Sequence, residues 1–167
     1  NSNKASAPTL ERIVDAIEKS KHPLVNGESM LEQIISSDKA DGSILGRAGQ
    51  VILHSKTPFT NGEKMFDQIL NSNRAESNTF VLIGAAVFNS KLNLKSSQKM
   101  LARVLDAPKF AADSTFSLAL TLGSSNLPDS TVKTLFRQLV NSSKTNAATL
   151  KDVVDRLQYT GDTIPKQ

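Results

Sequence analysis

Thr60-Asn61-Gly62-Glu63-Lys64-Met65-Phe66-Asp67-Gln68-Ile69-Leu70 decides how the chain is read, because the sequence says nearly the same thing four times. Thirty-five residues before it stands Val25-Asn26-Gly27-Glu28-Ser29-Met30-Leu31-Glu32-Gln33-Ile34-Ile35. Thirty-five after it comes Lys95-Ser96-Ser97-Gln98-Lys99-Met100-Leu101-Ala102-Arg103-Val104-Leu105, and one further step reaches Leu135-Phe136-Arg137-Gln138-Leu139-Val140. A fixed period without insertions points to stacked supersecondary units, each too small to bury its own apolar face.

Within each copy the large apolar residues fall at i, i+1, i+4 and i+5. They are Met30, Leu31, Ile34 and Ile35, then Met65, Phe66, Ile69 and Leu70, then Met100, Leu101, Val104 and Leu105, then Leu135, Phe136, Leu139 and Val140. That spacing forms one arc of an α-helix, whereas a strand would alternate. Burial of each large apolar side chain is worth about 1.5–3 kcal/mol, so these stripes are the main stabilising set. The methionines therefore read as packing residues and not as a copper site.

A second helix recurs between these copies, seen best in Phe80-Val81-Leu82-Ile83-Gly84-Ala85-Ala86-Val87-Phe88. Its inward positions are Ile13, Ala48, Ile83, Leu118 and Val153, then Ile17, Ile52, Val87, Leu122 and Leu157, with Leu10, Leu45, Phe80, Thr115 and Leu150 one turn earlier. The position after the first set, Val14, Gly49, Gly84, Ala119 and Val154, is small in the middle copies, which suits close approach of a neighbouring helix.

We call these two types A and B. A-type helices are expected over about 10–20, 44–55, 79–90, 114–124 and 150–158, and B-type helices over about 27–36, 62–71, 97–106 and 132–141. Candidate N-caps are Asn26, Asn61, Ser96 and Thr131 for type B and Ser43, Asn78 and Asp113 for type A, each worth about 1 kcal/mol. Pro23, Pro58 and Pro128 sit in the turn from A to B, where proline separates one helix from the next. The units run over about 9–43, 44–78, 79–113 and 114–148, with a partial unit at 149–160, in one domain. The unpaired last A-type helix is expected of a chain cut from a longer protein.

The composition agrees with a soluble helical domain. With 167 residues, 38% hydrophobic and 22% charged, the chain is long enough to bury a core. No run of eighteen apolar residues occurs, and residues 1–6 lack the apolar core of a signal peptide, so the expectation is a soluble, intracellular protein without a membrane partner. The absence of cysteine excludes disulfides and thiolate ligands but leaves the compartment open. A net charge of +4 permits an acidic partner without requiring one.

The large, large, small, large spacing of Phe80, Ile83, Gly84 and Val87 resembles the first helix of tetratricopeptide repeats, and the 35-residue period resembles pentatricopeptide repeats. Gly62 and Phe66 stand about where those families place a small residue and an aromatic. Ile34, Ile69 and Val104 occupy a position where tetratricopeptide repeats favour alanine. The glycine-rich base-reading turn of transcription-activator-like effectors is missing. From Leu10 to Leu157 the resemblance thus implies an all-α, right-handed α-solenoid, or superhelix, of tandem two-helix units, and no single family.

Two polar series stand out as binding candidates. Lys39, Arg74, Lys109 and Lys144 share one position in the loop from B to A, while Lys21, Lys56 and Lys91 share one in the turn from A to B. A row of cations can follow a phosphate backbone. Cations just past a helix C-terminus also simply complement the helix dipole, at about 0.3–1 kcal/mol each. Gln33, Gln68, Arg103 and Gln138, flanked by Glu32, Asp67, Ala102 and Arg137, form either a ligand-facing strip on the B-type helices or their wet side.

Nothing in the sequence forms a reactive constellation. His22 and His54 have no carboxylate or second histidine at ligand spacing and read as surface residues, so no catalytic, cofactor or metal residue is expected. The expected function is a non-enzymatic scaffold for a protein or peptide. The alternatives are a single-stranded RNA or DNA binder using the basic loops, or the partner-recruiting region of a larger effector. Scarce aromatics, seven Phe and one Tyr, weigh against base stacking.

Overall fold

Apolar arcs of this kind must be covered on one side, and the chain covers them by packing helix on helix. The computed structural model describes residues 5–20, 24–146, 148 and 151. Among them are eight helices and no strand: α1 (Ala7–Lys19), α2 (Gly27–Ser36), α3 (Gly42–His54), α4 (Gly62–Leu70), α5 (Ser77–Asn89), α6 (Leu94–Asp106), α7 (Ala112–Gly123) and α8 (Asp129–Val140). The odd-numbered helices are the expected type A and the even-numbered ones type B. The fifth A-type helix, with Leu150, Val153, Val154 and Leu157, lies outside the described residues apart from Lys151, as do Tyr159, Lys21, His22 and Pro23.

The odd helices pack in sequence, α1 on α3, α3 on α5 and α5 on α7, and each packs on the even helix that follows it. Small residues make the odd-helix contacts close. A Cβ on Gly49 would lie 2.6 Å from Ile83 Cγ1, one on Gly84 2.2 Å from Leu118 Cδ2, and one on Gly46 3.1 Å from the Thr79 Cα. Polar bonds fasten the same layer. Thr79 Oγ1 donates to the Gly42 carbonyl at 2.7 Å, Gln50 Nε2 donates to the Leu82 carbonyl at 3.2 Å, and His54 Nε2 lies 3.1 Å from the Ala86 carbonyl. His54 is exposed, in line with its reading as a surface residue, and its ring also bonds across a helix junction. Arg47 of α3 pairs with Glu11, Asp15 and Glu18 of α1.

All sixteen residues of the B-type stripes are buried or half-buried. Met65 is fully buried, whereas Met30 and Met100 are half-buried. The turn from B to A has the same hydrogen bonds at steps of 35 residues. Ser37 N donates to Ile34 O and Ala40 N to Ser37 O; the same pair of bonds joins 69, 72 and 75, then 104, 107 and 110, then 139, 142 and 145. Ser37, Ser72 and Ser142 each accept the amide two residues on, at 3.3, 3.2 and 3.3 Å. Ala40, Ala75 and Phe110 of these turns are buried in the core.

The expected helix starts need correction. Helices α3, α5 and α7 begin about two residues before the expected 44, 79 and 114, so Ser43, Asn78 and Asp113 lie in the first turn and are not caps. The cap positions are Asp41, which accepts from Ile44 N at 3.0 Å, Glu76, which forms a capping box with Thr79, and Ala111. Asn26 and Asn61 stand at the cap positions of α2 and α4 but make no side-chain cap bond. Helices α6 and α8 start three residues before the expected 97 and 132, placing Ser96 and Thr131 inside them. Here the Asn-Gly pair of the first two copies is replaced by Ser96-Ser97 and Thr131-Val132, which lack glycine's penalty in a first turn. Asn93 caps α6 through Ser96 N at 2.9 Å, and Pro128 holds the cap position of α8.

These close contacts set the tolerance of each glycine. Gly46→Val, which meets backbone at Thr79, is expected to lower stability by about 1–3 kcal/mol. Gly62→Ala, whose nearest neighbour is Phe59 Cβ at 3.5 Å, is expected to be neutral or stabilising by up to about 1 kcal/mol. Urea denaturation of the two variants checks the contrast.

Candidate functional site

The odd helices pack tightly, but the even helices α4 and α6 are joined mainly by long side chains. Arg103 of α6 reaches back to α4, with Nη1 2.6 Å from Glu63 Oε2 and Nη2 2.7 Å from Asp67 Oδ1. Its guanidinium carbon lies 4.8 Å from the Phe66 ring centroid, and Nη1 is 3.4 Å from Met100 Sδ. Burial works to lower the guanidinium pKa, but the bond to Asp67 and the charges of Glu63 and Asp67 outweigh it and hold it above its ordinary value.

The same register positions fasten the other even helices with different chemistry. Glu28 of α2 accepts the backbone amides of Thr60, at 3.1 Å, and Asn61, while Glu32 accepts from Asn61 Nδ2 at 2.9 Å. Glu28 and Glu32 precede Glu63 and Asp67 by one 35-residue step. Gln138 of α8, one step beyond Arg103, donates to the Gln98 carbonyl at 2.8 Å. The glutamine and arginine series is therefore split. Arg103 and Gln138 bind neighbouring helices, while Gln33 and Gln68 are exposed, and Gln33 reaches Ser29 Oγ at 3.5 Å.

The basic loop row is also split. Arg74 is half-buried and donates to three carbonyls of the preceding turn, Ile35 at 2.7 Å, Ala40 at 2.9 Å, and Ser37. It closes the C-terminus of α2 as a cation complements a helix end. Lys39, Lys109 and Lys144 are exposed, with Lys39 3.8 Å from its neighbour Asp38. No cluster of three His, Asp or Glu side chains able to hold a metal ion occurs among the described residues, and no helix there is long and apolar enough to cross a membrane.

Two concave features lie elsewhere, at successive junctions along the edge formed by the A-to-B turns. The first, of about 350 Å³, is lined by Ile17, Leu24 and Gly27 of one unit and by Val51, Pro58 and Phe59 of the next, among the described residues. The second, of about 420 Å³, is lined by Ile52, Phe59, Gly62, Phe66, Lys99 and Met100. Ile17, Leu24 and Gly27 of the first correspond, one step on, to Ile52, Phe59 and Gly62 of the second. The two grooves are thus equivalent places on neighbouring units.

Beside them runs an apolar row that the sequence analysis missed: Leu24, Phe59 and Leu94, each 35 residues from the last. Leu24 is 42% exposed and Leu94 37%, while Phe59 is half-buried between the grooves. The signal was present in the period. It was overlooked because these residues precede the B-type stripe and belong to no helical arc except in α6, where Leu94 is the first residue. Neither Gln33, Gln68, Gln138 nor any of Lys39, Arg74, Lys109 and Lys144 lines either groove. Comparison with protein-family models, with curated proteins and with solved structures finds no match.

Because Arg74 satisfies three carbonyls, Arg74→Ala is expected to cost about 1–3 kcal/mol, against about 0.5 kcal/mol or less for Lys39→Ala, measured by urea denaturation. Glu63 and Asp67 are 75% and 62% exposed. A double-mutant cycle of Arg103→Ala with Asp67→Ala is therefore expected to give a coupling of at most about 1 kcal/mol, shrinking as salt is raised.

Proposed function

We propose that the chain is a right-handed α-solenoid of tandem helix pairs and acts as a non-enzymatic scaffold that binds a protein or peptide. The observation that carries this reading is the pair of equivalent grooves at neighbouring junctions, bordered by the apolar row of Leu24, Phe59 and Leu94. A stacked array repeats any surface feature at each unit, so a partner lying along the edge meets the same apolar recess more than once. Apolar recesses with a few polar groups at their rims are where ligands bury most of their surface.

The single-stranded nucleic-acid reading rests on the row of Lys39, Arg74, Lys109 and Lys144. It is weaker with Arg74 engaged on backbone carbonyls. Base stacking also calls for exposed aromatics. Among the described phenylalanines, Phe66, Phe80, Phe88 and Phe110 are buried, and Phe59, Phe116 and Phe136 are packed against the core.

Selection of a random peptide library on the whole chain tests the reading, followed by titration of synthetic copies of the enriched peptides. Binding is expected, with at least a tenfold loss in the Leu24→Asp variant, whose target side chain is already exposed. Failure of the library to enrich any sequence would overturn the reading. So would tight, steeply salt-dependent retention of single-stranded RNA on filters that is lost when Lys39, Lys109 and Lys144 become Glu.

A further inference from the structure

One stripe recurs on every even helix and is left open on α8. Its outer members, four residues apart, are Glu28 and Glu32 on α2, Glu63 and Asp67 on α4, and Gln98 and Ala102 on α6. One further step of 35 residues gives Lys133 and Arg137 on α8. On the first three helices the stripe faces the even helix that follows. Glu28 and Glu32 bond Thr60 and Asn61 at the entry to α4, Glu63 and Asp67 hold Arg103 of α6, and the Gln98 carbonyl accepts from Gln138 of α8. Among the described residues no even helix follows α8. Lys133 and Arg137 are exposed, and the ion pairs among the described residues are made by Lys19, Lys39, Arg47 and Arg103 instead.

The apolar members of the stripe open at the same place. Positions i, i+3, i+4 and i+7 share one face of a helix, so Lys133, Phe136, Arg137 and Val140 stand together. The equivalents of Phe136 and Val140 on the earlier helices, Leu31 and Ile35, Phe66 and Leu70, and Leu101 and Leu105, are at most 4% exposed. Phe136 and Val140 themselves are only half-buried. A flank that closes an array is ordinarily polar, whereas this one keeps two apolar side chains beside two cations. The one acid on α8, Asp129, sits in its first turn, where a carboxylate complements the helix dipole.

We infer that this flank of α8 docks an amphipathic helix of a partner protein, with a carboxylate facing Lys133 and Arg137 and apolar side chains on Phe136 and Val140. None of the residues that line the two grooves belongs to α8, so the inference goes beyond the groove reading and does not rest on it. The pattern is that of the junction between α4 and α6 with the signs exchanged. There two acids on the earlier helix hold one cation on the later; here two cations on the earlier helix call for one acid. Charges so placed attract the matching helix and repel one that brings a cation to the same point. A second copy of this chain does not match, because its α2 would bring Gln33, the neutral register equivalent of Arg103. A phosphate backbone would meet the cations but leave Phe136 and Val140 uncovered.

The test is fluorescence polarisation on the whole chain with synthetic copies of the α6 segment Leu94–Asp106. A hydrocarbon staple in place of Lys95 and Lys99 holds each copy helical, which a peptide this short does not achieve alone, and removes two charges. One copy keeps Arg103 and the other carries Arg103→Glu. The Glu copy is expected to bind at least tenfold more tightly than the Arg copy. The order should reverse in the Lys133→Glu, Arg137→Glu double variant, whose two sites are exposed and whose thermal melt reports whether the fold is kept. Equal affinity of the two copies, no binding of either, or an unchanged preference in the double variant overturns the inference. Self-association of the chain, or retention of single-stranded RNA, that is lost in the double variant while neither copy binds gives the flank to a second copy or to nucleic acid and also overturns it. Any of these failures leaves the groove reading standing, because that reading is tested by library selection and Leu24→Asp.

Discussion

Close packing of the odd helices, with a small residue on one helix facing a large one on the next, is the constraint on which the rest of the structure depends. Gly46, Gly49 and Gly84 leave room for Leu82, Ile83 and Leu118, and a Cβ at these positions requires the facing side chain, or at Gly46 also the Thr79 backbone, to shift. Glycine inside a helix costs about 1 kcal/mol relative to alanine, which the fold accepts at these points in return for dense packing. With one layer drawn together in this way, the even helices are left to be joined by longer reach. That is why Glu28, Glu32, Arg103 and Gln138, rather than methyl groups alone, connect them.

The same difference between layers accounts for the surface. Where α4 and α6 are bridged by a guanidinium, a recess remains between Phe66, Met100 and Phe59. Each of the ion pairs that Arg103 makes is individually weak, because its carboxylate is well exposed.

Much of the fold was legible because apolar spacing is a consequence of helix geometry. The stripes Leu31, Ile34 and Ile35, or Met65, Phe66, Ile69 and Leu70, are buried as their pattern requires. Helix starts were less legible, because Ser, Asn and Asp at 43, 78 and 113 are good caps in isolation. The choice of Asp41 and Glu76 depends on contacts with other helices, such as Thr79 with Gly42. The polar series were legible as series but not in role. Arg74 and Lys39 share a register position, yet only the arginine, with its fork of donors, is seen on the carbonyls of the preceding turn. Nothing in either residue's own neighbourhood in sequence distinguishes a clasp from a solvated cation.

The clasp made by Arg74 has an implication for how the molecule comes apart. The carbonyls of Ile35, Ser37 and Ala40 belong to one helix pair, and the group that satisfies them belongs to the next. Neither pair is chemically finished by itself. Loss of the second removes those bonds from the first, so fraying at one junction takes stabilising contacts from its neighbour. Coupling of that kind favours concerted melting of adjacent pairs over their independent, stepwise release.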